Sequence, residues 1–416
     1  MKHSSFVDKD YFWISVKDLK GNNTFFELNI RADGFERCNL NRPNVPFYSM
    51  NQSTAPVTHS KYYKLMFYLD KGYDKVYLRR KTDRTTPFEN DIENTDVGGV
   101  SAFFCNEYIN SASGLTEAFY PQNFEIKIGG NIMSLIYVDF EDKTTLPCNN
   151  IFSSMFAGCD WLLSAQDLKL PAMTLKYNCY KNMFSGCTKL RSIPELPATS
   201  LTTNCYYEMF ARCKNLRYPQ RILPATDLSG YCYYGMFRNC TSLVTVPKLP
   251  ATELMASCYG SMFSNCTSLT TLPSDLLPAS IIYEGSYSSM FYNCSSLTTV
   301  PKLPATIMNG NMGYYIMFYN CSSITSATLS LTQFGKGVTS GCKSMFGNCT
   351  KLSNVSIAFK SFTDMNNQKN TNLSSWLKGV ASSGIMKVPN TYAWNTESFI
   401  YSVDGIPSGW TVNPVL

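Results

Sequence analysis

Apolar and polar positions repeat along the middle of the chain with a period of 26 to 28 residues. The dipeptide Met-Phe marks each copy, and a Cys follows three residues after its Phe. The eight methionines of these dipeptides are Met155, Met183, Met209, Met236, Met262, Met290, Met317 and Met345. A period of this length is typical of a solenoid, in which each repeat buries its apolar side only against its neighbours.

Within one copy the hydrophobic period changes, and the change predicts two elements. Cys232, Met236 and Cys240 stand four residues apart, with an aromatic residue directly after each of the first two. This stripe predicts about two turns of helix with one buried side. Residues 243–246 are rich in β-branched side chains and are followed by Pro247, which predicts a short strand.

The residues that carry the repeat resemble a known family. The phrase CYxxMFxxCTSLxxxPxLPAT is similar to the repeat of the BspA-like leucine-rich-repeat surface proteins of Bacteroidetes, or of phages infecting them, and covers roughly residues 151–358. YDKVYLR, GNIMSLI and GIPSGWTV resemble segments that flank such arrays. The resemblance implies one family architecture for the whole chain, although the Leu-Pro-Ala-Thr phrase is missing after Ile324.

The flanking regions differ from the repeats. Before residue 145, short alternating runs such as residues 11–16, 25–30 and 75–79 are separated by Gly, Asn, Asp and Pro, which predicts an antiparallel β-sandwich whose edge joins the first rung near Leu146. After residue 358, a polar stretch leads to three tryptophans, which we expect to cover the open end of the solenoid: Trp376, Trp394 and Trp410.

The expected fold class is therefore α+β. Residues 1–145 are predicted to form a β-sandwich-like domain, and residues 359–416 a C-terminal capping region. Residues 146–358 are predicted to form a leucine-rich-repeat solenoid of about eight rungs, each with a short strand and a short helix.

Composition narrows the function classes. The 416 residues are 44% hydrophobic and 16% charged, and the net charge of +6 is spread without dense runs of Lys and Arg. A nucleic-acid partner is therefore not expected. The N-terminus lacks the apolar core of a signal peptide, and no segment approaches the ~20 apolar residues of a membrane span. We therefore expect no export signal in the chain as given and no membrane insertion.

The sixteen cysteines suggest disulfides or a metal site, and their spacing tests both. Pairs such as Cys232 and Cys240 are eight residues apart, so on a helix they lie about 12 Å apart, beyond the reach of a disulfide. The interpretation that we favour is a stack of buried thiols that act as small hydrophobic groups. Disulfides between rungs are the alternative, and a metal site is disfavoured because no CxxC motif and no His cluster is present.

Catalytic chemistry has little support in the sequence. The two histidines, His3 and His59, both lie outside the repeats, so a Ser/His/Asp or Cys/His arrangement is hard to build. Four carboxylates are candidates for an acid/base pair in glycoside cleavage, and we interpret them instead as solvated loop charges: Glu107, Asp139, Glu141 and Asp142. We expect a non-enzymatic protein without a cofactor.

Asn-Cys-Thr and Asn-Cys-Ser tripeptides recur in the repeats and match the formal pattern for N-glycosylation. They fall where each predicted helix ends. Asn adopts the left-handed conformation that closes a helix more readily than most residues. We therefore interpret these asparagines as left-handed caps.

The sequence is compatible with three functions. The first is a phage virion fibre or decoration protein that mediates attachment to the host surface, because unpaired thiols suit a protein folded in a reducing cytoplasm and released by lysis. The second is a bacterial cell-surface adhesin whose leader has been removed. The third, a carbohydrate-active enzyme, is disfavoured. The expected partners are a host-surface glycan or protein, other virion proteins and further copies of the chain.

The candidate binding residues are those that point outward from the predicted strands. Successive strands of a solenoid form a ladder with rungs about 5 Å apart. Hydroxyls and cations in such a row suit glycan hydroxyls or acidic polymers, and many weak contacts add through multivalency. The alternative interpretation is an ordinary solvated β surface. The six candidates are Arg217, Thr245, Thr271, Thr299, Lys248 and Lys302.

Overall fold

The structure, a computed structural model, describes residues 10–19, 25–30, 35–38, 63–68, 73–80, 124–137, 139–359, 372–389 and 406–415. The chain divides into two compact units, Met1–Pro197 and Ala198–Leu416. The boundary between the units lies inside the predicted repeat region, after the second Met-Phe copy.

The described part of the first unit is rich in strands: β1 (Phe12–Asp18), β2 (Phe25–Ile30), β3 (Phe35–Cys38), β4 (Tyr63–Tyr68), β5 (Tyr73–Arg80), β6 (Phe124–Asn131) and β7 (Leu162–Lys169). Five of them form a sheet in the order β3-β5-β1-β6-β7, and β2 pairs with β4. The three alternating runs of the N-terminal region lie in β1, β2 and β5, so their assignment as strands is confirmed. The β-sandwich itself stays a prediction.

Strands β6 and β7 join the N-terminal sheet to the first repeat. The sheet is antiparallel from β3 to β6, and β6 then pairs in parallel with β7. β7 follows Cys159, the cysteine of the first Met-Phe copy. A short 3-10 helix, Ile132–Leu135, follows β6 and is fully buried. The junction is therefore a shared sheet and involves residues 162–169, beyond the expected position near Leu146.

The apolar stripe around Met236 lies on a run of consecutive turns, so the predicted helix is wrong. In residues 230–239 the backbone N–H groups alternate between two kinds of partner. The N–H of Met236 donates to the carbonyl of Tyr233, three residues earlier, at 3.2 Å. The next N–H, that of Phe237, donates to the carbonyl of Met262 in the following rung at 2.9 Å. In an α-helix all of these groups would bond four residues back along the same segment.

The turns persist because every fourth residue has a left-handed backbone. Tyr231, Gly235 and Asn239 have φ angles of 57°, 59° and 61°. The corresponding residues of the next rung, Ser257 and Ser261, are also left-handed. A left-handed residue interrupts a right-handed helix, and Gly and Asn adopt this conformation more readily than other residues. The α+β class is therefore not confirmed: in the described residues the one helix is the 3-10 helix after β6.

The core of the repeats consists of columns of like side chains, one from each rung. The Phe237 ring stacks on Phe210 at a centroid distance of 5.8 Å and on Phe263 at 5.7 Å. Tyr233 and Tyr259 stack at 5.8 Å in a parallel column. All five rings are at most 1% exposed. At about 1.5–3 kcal/mol for each large side chain removed from water, these columns stabilise the contact between rungs.

The described part of the second unit contains β8 (Ile281–Ile282), β9 (Ile307–Met308), β10 (Ser326–Leu329), β11 (Gln333–Phe334), β12 (Asn354–Ile357), β13 (Gly384–Pro389) and β14 (Trp410–Val415). They form two parallel sheets, in the orders β11-β9-β8 and β10-β12-β13-β14. Each sheet takes one strand from each of several successive rungs. Together with the turn runs, this architecture is a repeat solenoid.

The segment that follows the repeat cysteine is a strand only in copies without proline. Residues 243–246 were predicted as a strand and are not one. Pro247 and Pro250 have no N–H groups to donate, so a continuous ladder cannot form there. Single bonds remain, such as that from the N–H of Val244 to the carbonyl of Arg217 at 3.0 Å. Strands β7, β10 and β12 occupy the same segment in three copies in which it contains no proline.

The region predicted as a cap continues the repeat in its described part. The N–H of Phe346 donates to the carbonyl of Trp376 at 2.9 Å, as that of Phe237 does to Met262. Trp376 therefore occupies the methionine position of one more turn run. Trp410 is 3% exposed, and its Nε1 donates to the carbonyl of Ala381 at 2.8 Å. The capping function stays a prediction, and Trp394 lies outside the described residues.

Candidate functional site

All six residues predicted to bind are exposed. Thr245, Thr271 and Thr299 each stand five positions after the repeat cysteine. The N–H and Oγ1 of Thr298 both donate to the carbonyl of Thr270 at 2.9 Å. This contact joins two neighbouring rungs one position before the predicted Thr271 and Thr299.

Arg217 is one position out of register with these threonines. The N–H of Val244 donates to the carbonyl of Arg217, and both residues stand four positions after their cysteine. Tyr218 therefore occupies the position of Thr245. The Tyr218 ring is 59% exposed, and the Arg217 guanidinium lies 5.7 Å from its centre. The predicted row thus contains an exposed aromatic residue that sequence reasoning missed.

Lys248 and Lys302 belong to a second row, eight positions after the cysteine. The N–H of Lys248 donates to the carbonyl of Arg221 at 2.9 Å, and that of Lys302 to the carbonyl of Ser274 at 3.0 Å. Arg221 is exposed and was not predicted, although counting from the cysteine identifies it. We call Arg217, Arg221, Lys248 and Lys302 the basic face. In the described part of the chain none of the four takes part in an ion pair.

An open cleft of about 850 Å³ lies elsewhere on the second unit. It crosses four successive rungs, with lining residues from 252–256, 280–284, 309–311 and 336–338, and none of the six predicted residues lines it. Its volume falls in the range of small-ligand sites. The side chains that define its chemistry are Glu253, Met255, Tyr283, Glu284, Asn309 and Lys336.

Backbone hydrogen bonds between rungs hold the cleft in shape. The carbonyl of Glu284 accepts from the N–H of Ser257 at 2.8 Å, and the N–H of Asn309 donates to the carbonyl of Ile282 at 2.7 Å. Gly310 allows two of these rungs to approach closely, since a Cβ at this position would collide with the backbone of Tyr283 and Glu284. The lining is therefore set by the stacking of the rungs and exists before any ligand binds.

The cleft combines exposed apolar and charged groups. Tyr283 is 41% exposed and Met255 is 47% exposed. Glu253, Glu284 and Lys336 are exposed as well. These are the charged residues of the lining, so the carboxylates outnumber the ammonium by one. No sequence signal revealed this site, because it is built where the copies differ from the repeat phrase.

The cysteines of the described repeats are buried and unreactive. Ten cysteines of the described repeats are free thiols with no exposed surface: Cys179, Cys187, Cys232, Cys240, Cys258, Cys266, Cys294, Cys321, Cys342 and Cys349. Burial raises the pKa of the Cys240 thiol from 9.0 to about 12, because desolvation disfavours the thiolate. The Cys266 Sγ donates to the carbonyl of Phe237 at 3.2 Å. The predicted stack of buried thiols is confirmed for these residues, and such thiols are poor nucleophiles.

The asparagines of the Asn-Cys-Thr/Ser tripeptides are left-handed, as predicted. Asn265 and Asn293 have φ angles of 61° and 57°. They close a turn run, however, since no helix is present there. The Nδ2 of Asn293 donates to the Oδ1 of Asn265 at 2.8 Å, and Asn348 makes the same bond to Asn320 at 2.9 Å. These carboxamides therefore link neighbouring rungs.

The other chemical candidates are not gathered into a site. Asp139, Glu141 and Asp142 are exposed, and the remaining candidates, Glu107, His3 and His59, lie outside the described residues. Among the residues that the structure describes, no group of three His, Cys, Asp or Glu side chains is placed to hold a metal ion. Nor does any helix in this part of the chain have the length and apolar character of a membrane span.

The sequence matches the model of the BspA type leucine-rich-repeat region in six copies, over residues 130–236, 230–344 and 276–375. These matches together cover more than half of the chain. The chain therefore belongs to the BspA-type leucine-rich-repeat proteins, as the sequence resemblance indicated. Repeats of this type indicate a surface-exposed, adhesion-type repeat protein. No curated protein matches the sequence.

Proposed function

We propose that the chain is a non-enzymatic attachment protein of a phage virion, a fibre or decoration protein that binds the surface of a host among the Bacteroidetes. The observation that carries the binding function is the display of exposed side chains by rungs in register. The basic face and the cleft both lie on backbone that hydrogen bonds between rungs hold in place. Rigid support of this kind favours binding, because little freedom is lost when a ligand binds.

The free thiols support the virion location. Ten cysteines of the described repeats are buried free thiols, which suits folding in a reducing cytoplasm followed by release through lysis. The partners that we propose are a host-surface glycan or protein, other virion proteins and further copies of the chain. The basic face suits an acidic polymer, since several exposed cations attract a chain of anions. Neither nucleic-acid binding nor membrane insertion is part of the proposal.

The second candidate is a bacterial cell-surface adhesin, which the match to BspA-type repeats favours equally. Antibody labelling in electron microscopy separates the two. Antibodies against the purified chain are applied to phage particles and to uninfected cells. Label on the particles, with none on uninfected cells, is expected. Label on the outside of uninfected cells alone would contradict the virion location and support the adhesin.

A further inference from the structure

We infer that the cleft of the second unit is a binding site for a neutral oligosaccharide. This inference names the class of ligand for the proposed attachment function, and its biological meaning rests on that proposed function. The binding itself is a property of the cleft and can be measured alone. The argument uses the shape, the aromatic surface and the hydrogen-bonding groups of the cleft.

The shape of the cleft suits an elongated ligand. Its lining comes from four rungs, stacked at about 4.8 Å for each step, so it extends roughly 15 Å along the stack. The cleft is partly open to solvent and is not an enclosed cavity. An open groove accepts a chain at any point along it, whereas a closed pocket accepts only an end. A short run of sugar rings fits these dimensions.

Tyr283 supplies an aromatic surface. Its ring is 41% exposed. Its carbonyl accepts from the N–H of Ser286 within the same rung, and the nearby Gly285 N–H donates to the carbonyl of Asn311 in the next rung at 2.8 Å. An exposed amphipathic ring is suited to the apolar face of a sugar.

The polar groups suit hydroxyls. Glu253, Glu284 and Asn309 bring carboxylate and carboxamide oxygens that accept hydrogen bonds, and Lys336 brings an ammonium that donates them. A sugar hydroxyl is both donor and acceptor, so it satisfies either kind of group. Hydrogen bonds to charged groups are stronger than neutral ones.

The charge balance selects neutral sugars over acidic ones. Two carboxylates face one ammonium in the lining, so an acidic glycan would be repelled there, in contrast to the basic face. A lysine-rich peptide also satisfies two carboxylates and an aromatic ring, through ion pairs and a cation–π contact. The lone Lys336 opposes that ligand, and the mixed donors and acceptors favour hydroxyls.

The test uses the full chain and an array of neutral and acidic oligosaccharides, followed by calorimetric titration of the best neutral ligand. Tyr283→Ala is expected to weaken binding at least about tenfold, since it removes both the ring contact and its burial. Glu284→Gln keeps the shape, removes one charge and is expected to weaken binding severalfold. The matched control is Tyr231→Ala, because Tyr231 is 43% exposed and lies outside the cleft. Its affinity should equal that of the parent.

Three results would overturn the inference. The first is that no neutral oligosaccharide of the array binds. The second is that a neutral ligand binds equally to the parent and to both cleft variants. The third is that a Lys-Lys-Lys peptide binds in the cleft more tightly than any sugar. Attachment of the chain to cells is measured in parallel. If the chain attaches to cells but binds no oligosaccharide, the inference fails and the proposed function stands. If it binds an oligosaccharide but does not attach to cells, the inference stands and the proposed function fails.

Discussion

The thiol of Cys240 donates a hydrogen bond to the backbone carbonyl of Phe210, one rung earlier, with an Sγ to O distance of 3.1 Å. The same bond joins Cys294 to Phe263 at 3.2 Å and Cys321 to Phe291 at 3.0 Å. The cysteine thus fills a small buried position and donates to a carbonyl that also accepts a backbone N–H, as the carbonyl of Phe210 does from Cys213. Its presence in every copy follows from this structural function.

Raised thiol pKa values predict a loss of stability at alkaline pH. The unfolded chain releases the Cys240 proton near pH 9, while the folded chain retains it to about pH 12. The stabilisation is therefore complete below about pH 9 and is lost as the pH rises towards 12. Each such cysteine lowers the free energy of unfolding by about 1.4 kcal/mol per pH unit in this window. Urea midpoints measured across it should fall, and the fall should be shallower in Cys240→Ala.

A flat urea midpoint up to about pH 11 would contradict the burial of these thiols. Lysines and tyrosines also titrate in this range. The contribution of the Cys240 thiol is therefore the difference between the urea midpoints of the parent and of Cys240→Ala.

Thiol counting provides a second prediction. Under denaturing, non-reducing conditions most of the sixteen cysteines should react with a thiol reagent, because ten cysteines of the described repeats are free thiols. In the native chain these ten thiols should react slowly, since they are buried and burial raises their pKa values. Fewer than half reacting after denaturation would indicate disulfides between rungs and favour an exported protein.

Truncation of a core column should destabilise the second unit. Phe237 is fully buried and stacks on a phenylalanine in the rung on either side. Phe237→Ala is expected to cost about 2–5 kcal/mol and to expose hydrophobic surface, and Met236→Ala should behave alike. Thermal melts test both variants. Thr245→Ala, at an exposed position of the same rung, is the control and should melt like the parent. If all three variants have the same melting temperature as the parent, the stabilising phenylalanine column is contradicted.

The period, the buried Met, Phe and Cys positions and the exposed threonine row were predictable from the sequence. The turn run was not, because a spacing of four residues is shared by a helix and by this run. The informative signal was the repetition of Asn, Ser and Gly at every fourth position, but Tyr231 is left-handed as well and obscures it. The strand predicted at residues 243–246 does not form, because Pro247 and Pro250 interrupt the ladder of hydrogen bonds. The cleft depends on Tyr283 and Gly310, where copies depart from the common phrase.

The basic face and the threonine row have their own test. Substituting Thr245, Thr271 and Thr299 together by Asp places three carboxylates among exposed cations, which should oppose an acidic polymer. If this face binds the host, adsorption to host cells should fall severalfold while the thermal melt is unchanged. A triple substitution to Ser is the matched control and should adsorb normally. Unchanged adsorption of the folded Asp variant would exclude this face and leave the cleft or the flanking regions.

Attachment is the central claim, and saturable binding of the purified chain to intact cells tests it most directly. Fluorescently labelled chain is incubated with a panel of Bacteroidetes strains, with an excess of unlabelled chain as competitor. On at least one strain, binding should saturate and be displaced by the unlabelled chain, and Phe237→Ala should bind less in proportion to its unfolded fraction. If binding neither saturates nor is displaced by the unlabelled chain on any strain of the panel, the attachment function is contradicted.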